Sequence, residues 1–200
     1  MEDKNLPRVF LSPSVQEYNE FLSGGNEEYY MNLIADAMEP YLEASGIDFG
    51  RNDRNKPVSQ AIADSNAGNY DLHLAIHSNA APEGLKGKLS GADIYYSPVS
   101  YLGKMFADML AENYRTIYPN PDKVNTIPTT SLGEITRTIA PAVLIETAYH
   151  DNPEDEAWLK DNIDNIARVL AMTVAEFFNL PFVEPMLNDN DYEIEVSMLE

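Results

Sequence analysis

Short apolar runs alternate along this chain with longer segments in which apolar residues recur at helical spacing. This alternation is typical of βαβ units, in which each helix carries the chain back to start a parallel strand. We therefore expect an α/β fold with three layers: a mostly parallel, twisted sheet of about five or six strands with helices on both faces. The predicted strands are RVFLS (8–12), IDFG (47–50), DLHLAIH (71–77), GADIYYSP (91–98) and PAVLIET (141–147).

Helical periodicity predicts four main helices between and after these strands. Pro40 lies inside the first of them, where a proline removes a backbone hydrogen bond and kinks or ends the helix. The residues from 119 to 139 are rich in Pro, Thr and Asn, so we predict a long loop of functional importance there. The predicted helices span 26–45, 56–69, 100–118 and 152–179.

The length of 200 residues suits a single well-filled core. We expect one domain over residues 1–180 and an acidic C-terminal tail or linker over residues 181–200. The start of the chain is charged, and no apolar stretch is long enough to span a bilayer. We therefore expect no membrane insertion.

The formal net charge is −20 at pH 7, and the chain contains no cysteine. Because phosphate groups are bound by clustered Lys and Arg side chains, this charge argues against nucleic acid and anionic membrane surfaces as partners. The lack of cysteine excludes disulfides, thiolate metal sites and cysteine nucleophiles. A metal ion would have to bind His, Asp, Glu or weaker oxygen ligands.

Two predicted strands end in residues that can bind a metal or transfer a proton. In open α/β sheets, functional groups collect at the carboxyl ends of the strands. His77 and Glu146 each follow an apolar strand directly, where an ionised group is costly without a partner, so both are functional candidates. His73 lies four residues before His77, roughly 13 Å away along a strand, so the two cannot share one ion. We predict that His73 packs in the core or supports the residues that bind the ion.

Four motifs occur in this order along the chain: GNEEYYMNLIADAM, DLHLAIHSNA, SGADIYYSP and PAVLIETAYHDN. Their order and spacing resemble the zinc-dependent N-acetylmuramoyl-L-alanine amidases of the Amidase_3 family. The resemblance extends from about residue 8 to about residue 179, and it implies that residues 1–180 are a catalytic domain of this kind.

The resemblance also implies roles for individual residues. In the family, zinc is held by a histidine after the first strand, a glutamate at the start of the first helix, and a histidine in an IHxN element. A separate glutamate is catalytic. By this resemblance Glu27 and His77 would bind zinc, and Glu146 would be the catalytic carboxylate.

The chain departs from the family at the first zinc ligand. The family's DPGHGG is matched here by SPSVQE, which puts Val15 in the place of the histidine. Valine cannot bind a metal ion. We assign Gln16 as the third ligand after a shift of one residue, with Asn19 and His150 as open alternatives.

The implied reaction is zinc-dependent hydrolysis of the amide bond between N-acetylmuramic acid and L-alanine in peptidoglycan. The partner is then a muramyl peptide, and the place of action is the cell wall or the extracellular space. Asn79 and the loop over residues 129–138 are expected to line the cleft. Arg137 in that loop would bind a peptide carboxylate or, equally, pair with a surface acid.

The replaced ligand leaves two other functions open. One is a metal-free domain on the same fold that binds peptidoglycan or a partner without hydrolysis. The other is a different metal-dependent hydrolase, since a fold alone does not determine the substrate.

Overall fold

The computed structural model describes residues 6–186 and contains one six-stranded sheet. The strands are β1 (Arg8–Pro13), β2 (Asp48–Arg51), β3 (Leu72–Asn79), β4 (Ala92–Tyr96), β5 (Val124–Pro128) and β6 (Ala142–Tyr149). Their order across the sheet is β2-β1-β3-β6-β4-β5. All neighbouring pairs are parallel except β4 and β6, which are antiparallel. The predicted α/β fold with a mostly parallel sheet is confirmed.

Helices cover the sheet. Within residues 6–186, none of them has both the length and the apolar character needed to cross a lipid bilayer. The helices are α1 (Glu27–Ala44), α2 (Val58–Ala67), α3 (Tyr101–Tyr114), α4 (Gly133–Thr136), α5 (Pro153–Asp161) and α6 (Ile163–Phe177).

The two faces of the sheet belong to different clusters because successive side chains of a strand point to opposite faces. Leu74 and Ile145 are fully buried in the main core, which they share with α1, α3, α5 and α6. Ala75 and Leu144 lie on the opposite face and form a smaller cluster with Ile135 of α4. The odd-numbered positions of β3, including both of its histidines, share the face of this smaller cluster.

The predicted loop over residues 119–139 is wrong in part, because it contains β5 and α4. β5 is an edge strand in which Val124 alone is buried, so its sequence lacks the apolar run of a central strand. α4 is four residues long, which is too short to show helical periodicity.

The predicted single closing helix is also wrong, because it is divided into α5 and α6 at Asn162. The backbone of Asn162 leaves the helical region with φ −122° and ψ 20°, and its side-chain amide donates to Trp158 O at 2.8 Å. The first helix, by contrast, does not end at Pro40, since α1 runs on to Ala44.

The last described residues pack against α1 and its C-terminal end. Phe182 stacks on Tyr41 with ring centroids 5.6 Å apart, and Val183 N donates to Ser45 Oγ at 3.0 Å. Most of the predicted acidic tail, residues 187–200, lies outside the described residues.

Candidate active site

A cleft of about 520 Å³ opens at the carboxyl ends of β1, β3 and β6. It lies on the sheet face that α2 and α4 cover, and its polar lining includes His77, Glu134, Glu146 and Arg137. The strand-end residues predicted from the sequence therefore meet in one concave surface, the usual form of a small-molecule site.

Glu27 lies directly beside His77, buried next to the cleft. Its Oε1 is 2.9 Å from His77 Nδ1, and its Oε2 accepts a hydrogen bond from Asn19 Nδ2 at 2.5 Å. Burial raises the pKa of the Glu27 carboxyl, but the hydrogen bonds from His77 and Asn19 outweigh it and lower the pKa overall. Glu27 is therefore held as an anion that faces the imidazole.

The start of α1 determines where this carboxylate lies. Asn26 caps the helix, and its side-chain oxygen accepts from Tyr29 N at 2.8 Å. Gly25 before it has φ +78°, and a Cβ there would meet the Tyr30 ring at 2.6 Å. Glu27 is the first residue of the helix, where the helix dipole favours a negative charge.

His77 faces carboxylates with both ring nitrogens. Its Nδ1 faces Glu27, and its Nε2 lies 3.1 Å from Glu134 Oε2. Burial lowers the pKa of His77, but the hydrogen bonds to Glu134 and Glu27 raise it well above the ordinary value. A cation bound at either nitrogen would have to displace a proton, so metal binding and protonation compete here.

Gln16, the predicted third ligand, lies beside His77. Its Nε2 lies 3.3 Å from His77 Nδ1, and its Oε1 accepts from Tyr18 OH at 2.9 Å and from Asn19 Nδ2 at 3.2 Å. Val15 lines the same cleft. The carbonyl oxygen of Gln16 could face a metal ion only after the amide turns over.

Glu146 is the register partner of His77 across β3 and β6. The residue is half-buried, and its Oε2 is shielded from solvent with no hydrogen-bond partner among residues 6–186. Burial raises the pKa of Glu146 to about 7, although the nearby His77 lowers it; Glu27 and Asp93 add to the rise. A carboxyl with such a pKa can both take up and release a proton near neutral pH.

Glu134 was missed by the sequence analysis. It is 5% exposed, its Oε1 accepts from Ser12 Oγ at 2.5 Å, and its Oε2 faces His77. Burial raises the pKa of Glu134, but the hydrogen bonds from His73 and His77 hold it well below its usual range. Glu134 lies in the loop over residues 129–138 that was expected to line the cleft, but nothing in the sequence singled it out within that loop.

His73 is fully buried and has no contact with solvent. Its Nδ1 lies 3.0 Å from Ser65 Oγ, its Nε2 lies 3.3 Å from Glu134 Oε1, and its ring stacks on Phe10. The histidine that the sequence analysis set aside as packing or supporting thus shares a carboxylate with His77.

Three further predicted residues have different positions. His150 stacks on Phe21, and its Nδ1 faces Ser78 Oγ at 2.9 Å; it does not line the cleft. Asn79 also lies outside the cleft lining, since its amide donates to Asp93 at 3.3 Å. Its predicted place in the cleft is wrong.

Arg137 does line the cleft, and no ion pair of its guanidinium is found within residues 6–186.

The donor set allows a test of whether zinc fits. Across the described residues, no three His, Cys, Asp or Glu side chains are arranged to hold a metal ion. Catalytic zinc sites use three protein ligands. Glu27 and His77 are two suitable donors, and Gln16 is the third side chain within reach of the same ring nitrogen. Two suitable donors are therefore present, and the oxygen of Gln16 would complete a set of three only after its amide turns over, a donor set that favours weak zinc binding.

A family model described as Amidase_3, N-acetylmuramoyl-L-alanine amidase, matches residues 17–175. The chain belongs to this family. The match begins two residues after Val15. A comparison with curated proteins finds no match.

Solved structures of N-acetylmuramoyl-L-alanine amidases share the fold of this Amidase_3 domain. AmiC2 of Nostoc punctiforme is 16% identical with a TM-score of 0.75, over 86% of this chain and 97% of that one. The catalytic domain of CwlV from Bacillus (Paenibacillus) polymyxa var. colistinus is 18% identical with a TM-score of 0.75, over 88% and 100%. The amidase from Clostridium difficile 630 is 16% identical with a TM-score of 0.75, over 88% and 98%. At such low identity these likenesses show the fold alone.

Proposed function

We propose that this protein hydrolyses the amide bond between N-acetylmuramic acid and L-alanine in peptidoglycan, with zinc as its cofactor. One observation carries the proposal: Glu146, with a pKa near 7 and an oxygen that has no hydrogen-bond partner among residues 6–186, shares the cleft with His77, whose ring contacts the buried Glu27. Metal-dependent amide hydrolysis uses a proton-transferring group next to the cation site. Membership of the family supports the choice of substrate.

Glu27, His77 and Gln16 would hold the zinc ion. When bound, zinc polarises the amide carbonyl and a water molecule, and this electrostatic effect commonly accounts for most of the rate enhancement. The buried Glu27 carboxylate would offset part of the ion's charge, and its bond to Asn19 keeps its second oxygen fixed.

Glu146 would transfer the proton in both halves of the reaction. As a base it takes a proton from the attacking water, and as an acid it gives that proton to the leaving nitrogen of L-alanine. A pKa near 7 suits both roles, because the group is then neither fully protonated nor too weak a base.

Arg137 would bind the peptide part of the substrate. It supplies the only Lys or Arg side chain among the described residues that line the cleft. Its backbone is fixed because Asn66 Nδ2 donates to Arg137 O at 2.9 Å. A guanidinium binds a carboxylate through two parallel hydrogen bonds, which suits a stem-peptide carboxylate. We place the action of the protein at the cell wall or outside the cell, since peptidoglycan is found there.

The direct test is digestion of purified peptidoglycan with and without added zinc. We expect new amino termini of L-alanine and no new reducing sugar ends. Reducing ends alone would indicate a glycosidase, and amino termini other than L-alanine would indicate a peptidase of the same fold. Either result would contradict the proposed bond.

The Val15 position favours one alternative, a metal-free domain that binds peptidoglycan without cleaving it. Gln16 Oε1 already has two hydrogen-bond donors, so turning it toward a metal costs those bonds. This alternative predicts binding to peptidoglycan in the presence of a chelator and no turnover at any zinc concentration. Turnover that depends on zinc would exclude it.

A further inference from the structure

We propose that Glu134 is a positioning residue for the metal site: it accepts the Nε2 proton of His77 and thereby directs Nδ1 toward Glu27 and the cation. This inference deepens the proposed function and rests on it. It concerns a carboxylate on α4 to which the proposed function assigns no role.

The two nitrogens of His77 have different partners. Nδ1 lies 2.9 Å from Glu27 Oε1, and Nε2 lies 3.1 Å from Glu134 Oε2. The two lone-pair directions of an imidazole point away from each other, so one ion cannot bind both nitrogens. Gln16 approaches the Nδ1 side, which makes this side the ligand side.

A metal-binding histidine needs a partner for its other nitrogen. Such a histidine almost always donates its second N–H to a carboxylate, a carbonyl or a water, which fixes the tautomer and the ring orientation. Glu134 Oε2 is the acceptor in that position here. The geometry therefore supplies the supporting half of a carboxylate–histidine–metal arrangement.

Glu134 is itself held on its other oxygen. Oε1 accepts from Ser12 Oγ at 2.5 Å and lies 3.3 Å from His73 Nε2. His73 is fixed in turn by Ser65 Oγ at 3.0 Å and by stacking on Phe10. These contacts occupy Oε1 of Glu134 and leave its Oε2 for His77 alone. They also give His73, the other histidine of β3, a role in holding Glu134 in place.

The same contacts argue against Glu134 as a ligand or as the proton-transferring acid. As the proton-transferring acid Glu134 is less suited than Glu146, because both oxygens of Glu134 have partners whereas Oε2 of Glu146 has none among residues 6–186. Glu134 also lies on the Nε2 side of the ring, opposite Glu27.

The test uses Co²⁺ as a spectroscopic substitute for zinc in the full-length protein. Affinity is measured by competition with a chelator, and the visible absorption of Co²⁺ reports the geometry of its ligands. We expect Glu134→Ala to weaken Co²⁺ and Zn²⁺ binding roughly 10- to 100-fold and to change the Co²⁺ spectrum. Glu134→Gln keeps the size and a neutral acceptor oxygen, so its affinity should lie between those of the alanine variant and the wild type.

A buried carboxylate elsewhere provides the control. Glu156 is 4% exposed, like Glu134, and it is bound by Ser23 and Lys160 outside the cleft. Glu156→Gln should keep the wild-type affinity and spectrum. If Glu134→Ala does not fold, Glu134→Gln provides the test. Wild-type affinity and a wild-type Co²⁺ spectrum in Glu134→Gln would overturn the inference.

The outcomes separate the two proposals. If the wild type binds Co²⁺ and the Glu134 variants bind it equally well, the positioning role is overturned and the proposed function remains. A wild-type protein that binds neither Co²⁺ nor Zn²⁺ overturns both.

Discussion

His77 and Glu146 are register partners on the adjacent parallel strands β3 and β6. Paired residues of neighbouring strands project to the same face of a sheet, so the imidazole and the carboxyl share one cleft although 69 positions separate them in the sequence. Both strands lie in the centre of the sheet, so the floor of the cleft around these two side chains is buried. This burial raises the pKa of Glu146.

Replacing Glu146 with glutamine tests its role in proton transfer. Glutamine has nearly the same shape but cannot accept the proton of the attacking water. We expect kcat on peptidoglycan fragments to fall by roughly 10²- to 10⁴-fold, the usual contribution of general acid–base catalysis. The zinc content, measured by elemental analysis, should stay that of the wild type. Full activity in this variant would remove Glu146 from the mechanism.

Two adjacent glutamates of α1 test the metal ligands. Glu27 faces His77, whereas Glu28 pairs with Arg54 away from the cleft. We expect Glu27→Ala and His77→Ala to lose bound zinc, and Glu28→Ala to keep it, in an elemental assay after zinc loading and dialysis. Equal zinc in all three variants and the wild type would refute the ligand assignment.

A substitution at Val15 tests the proposal that Gln16 is a weak third ligand. An imidazole binds zinc better than an amide oxygen, so Val15→His should raise the affinity for zinc by about 10-fold or more. Val15→Leu, which adds volume without a donor, is the matched control and should leave the affinity unchanged. Titration against a fluorescent zinc chelator measures both. No gain from the histidine would show that this position lies out of reach of the cation.

The raised pKa of Glu146 predicts a dependence of stability on pH in the metal-free protein. Its folded pKa of about 7 lies above the ordinary value of 4.5, so the fold favours the neutral carboxyl. This preference is fully present below about pH 4.5 and is lost as the pH rises through 7.

Glu146→Gln should therefore be more stable than the wild type above pH 7, and the difference should vanish below about pH 4.5. We expect roughly 1 to 3 kcal/mol in the free energy of unfolding, since one pKa unit is worth about 1.4 kcal/mol and solvent screens a half-buried group. Urea unfolding of both proteins in chelator at pH 4, 6 and 8 measures it. A difference that is constant with pH would contradict the raised pKa.

Arg137 should act on substrate binding more than on the chemical step. It lines the cleft but has no hydrogen bond to Glu146 or His77. We expect Arg137→Ala to raise KM for muramyl peptides about 10-fold with little change in kcat, and to have no such effect on an analogue without peptide carboxylates. Arg54→Ala, whose guanidinium pairs with Glu28, is the control. An equal fall of kcat and kcat/KM would instead indicate a role in the transition state.

The central strands could be predicted because strands buried on both faces are nearly continuous apolar runs. β3 and β6 were found on this signal. β5 and α4 were not, because an edge strand and a four-residue helix are stabilised by tertiary contacts more than by their own pattern. The break at Asn162 was missed for a related reason, since the apolar pattern continues across it.

The sequence by itself determined the α/β class and indicated His77 and Glu146, because both follow local runs of apolar residues near the carboxyl ends of the central strands β3 and β6. Glu27 was indicated only by the resemblance of the GNEE segment to the Amidase_3 family. Only the tertiary structure decided that Glu134 faces Nε2 of His77 while Glu27 faces Nδ1. These carboxylates come from segments 57 and 50 positions away, and which ring nitrogen each one meets depends on how α4 and α1 pack against the sheet.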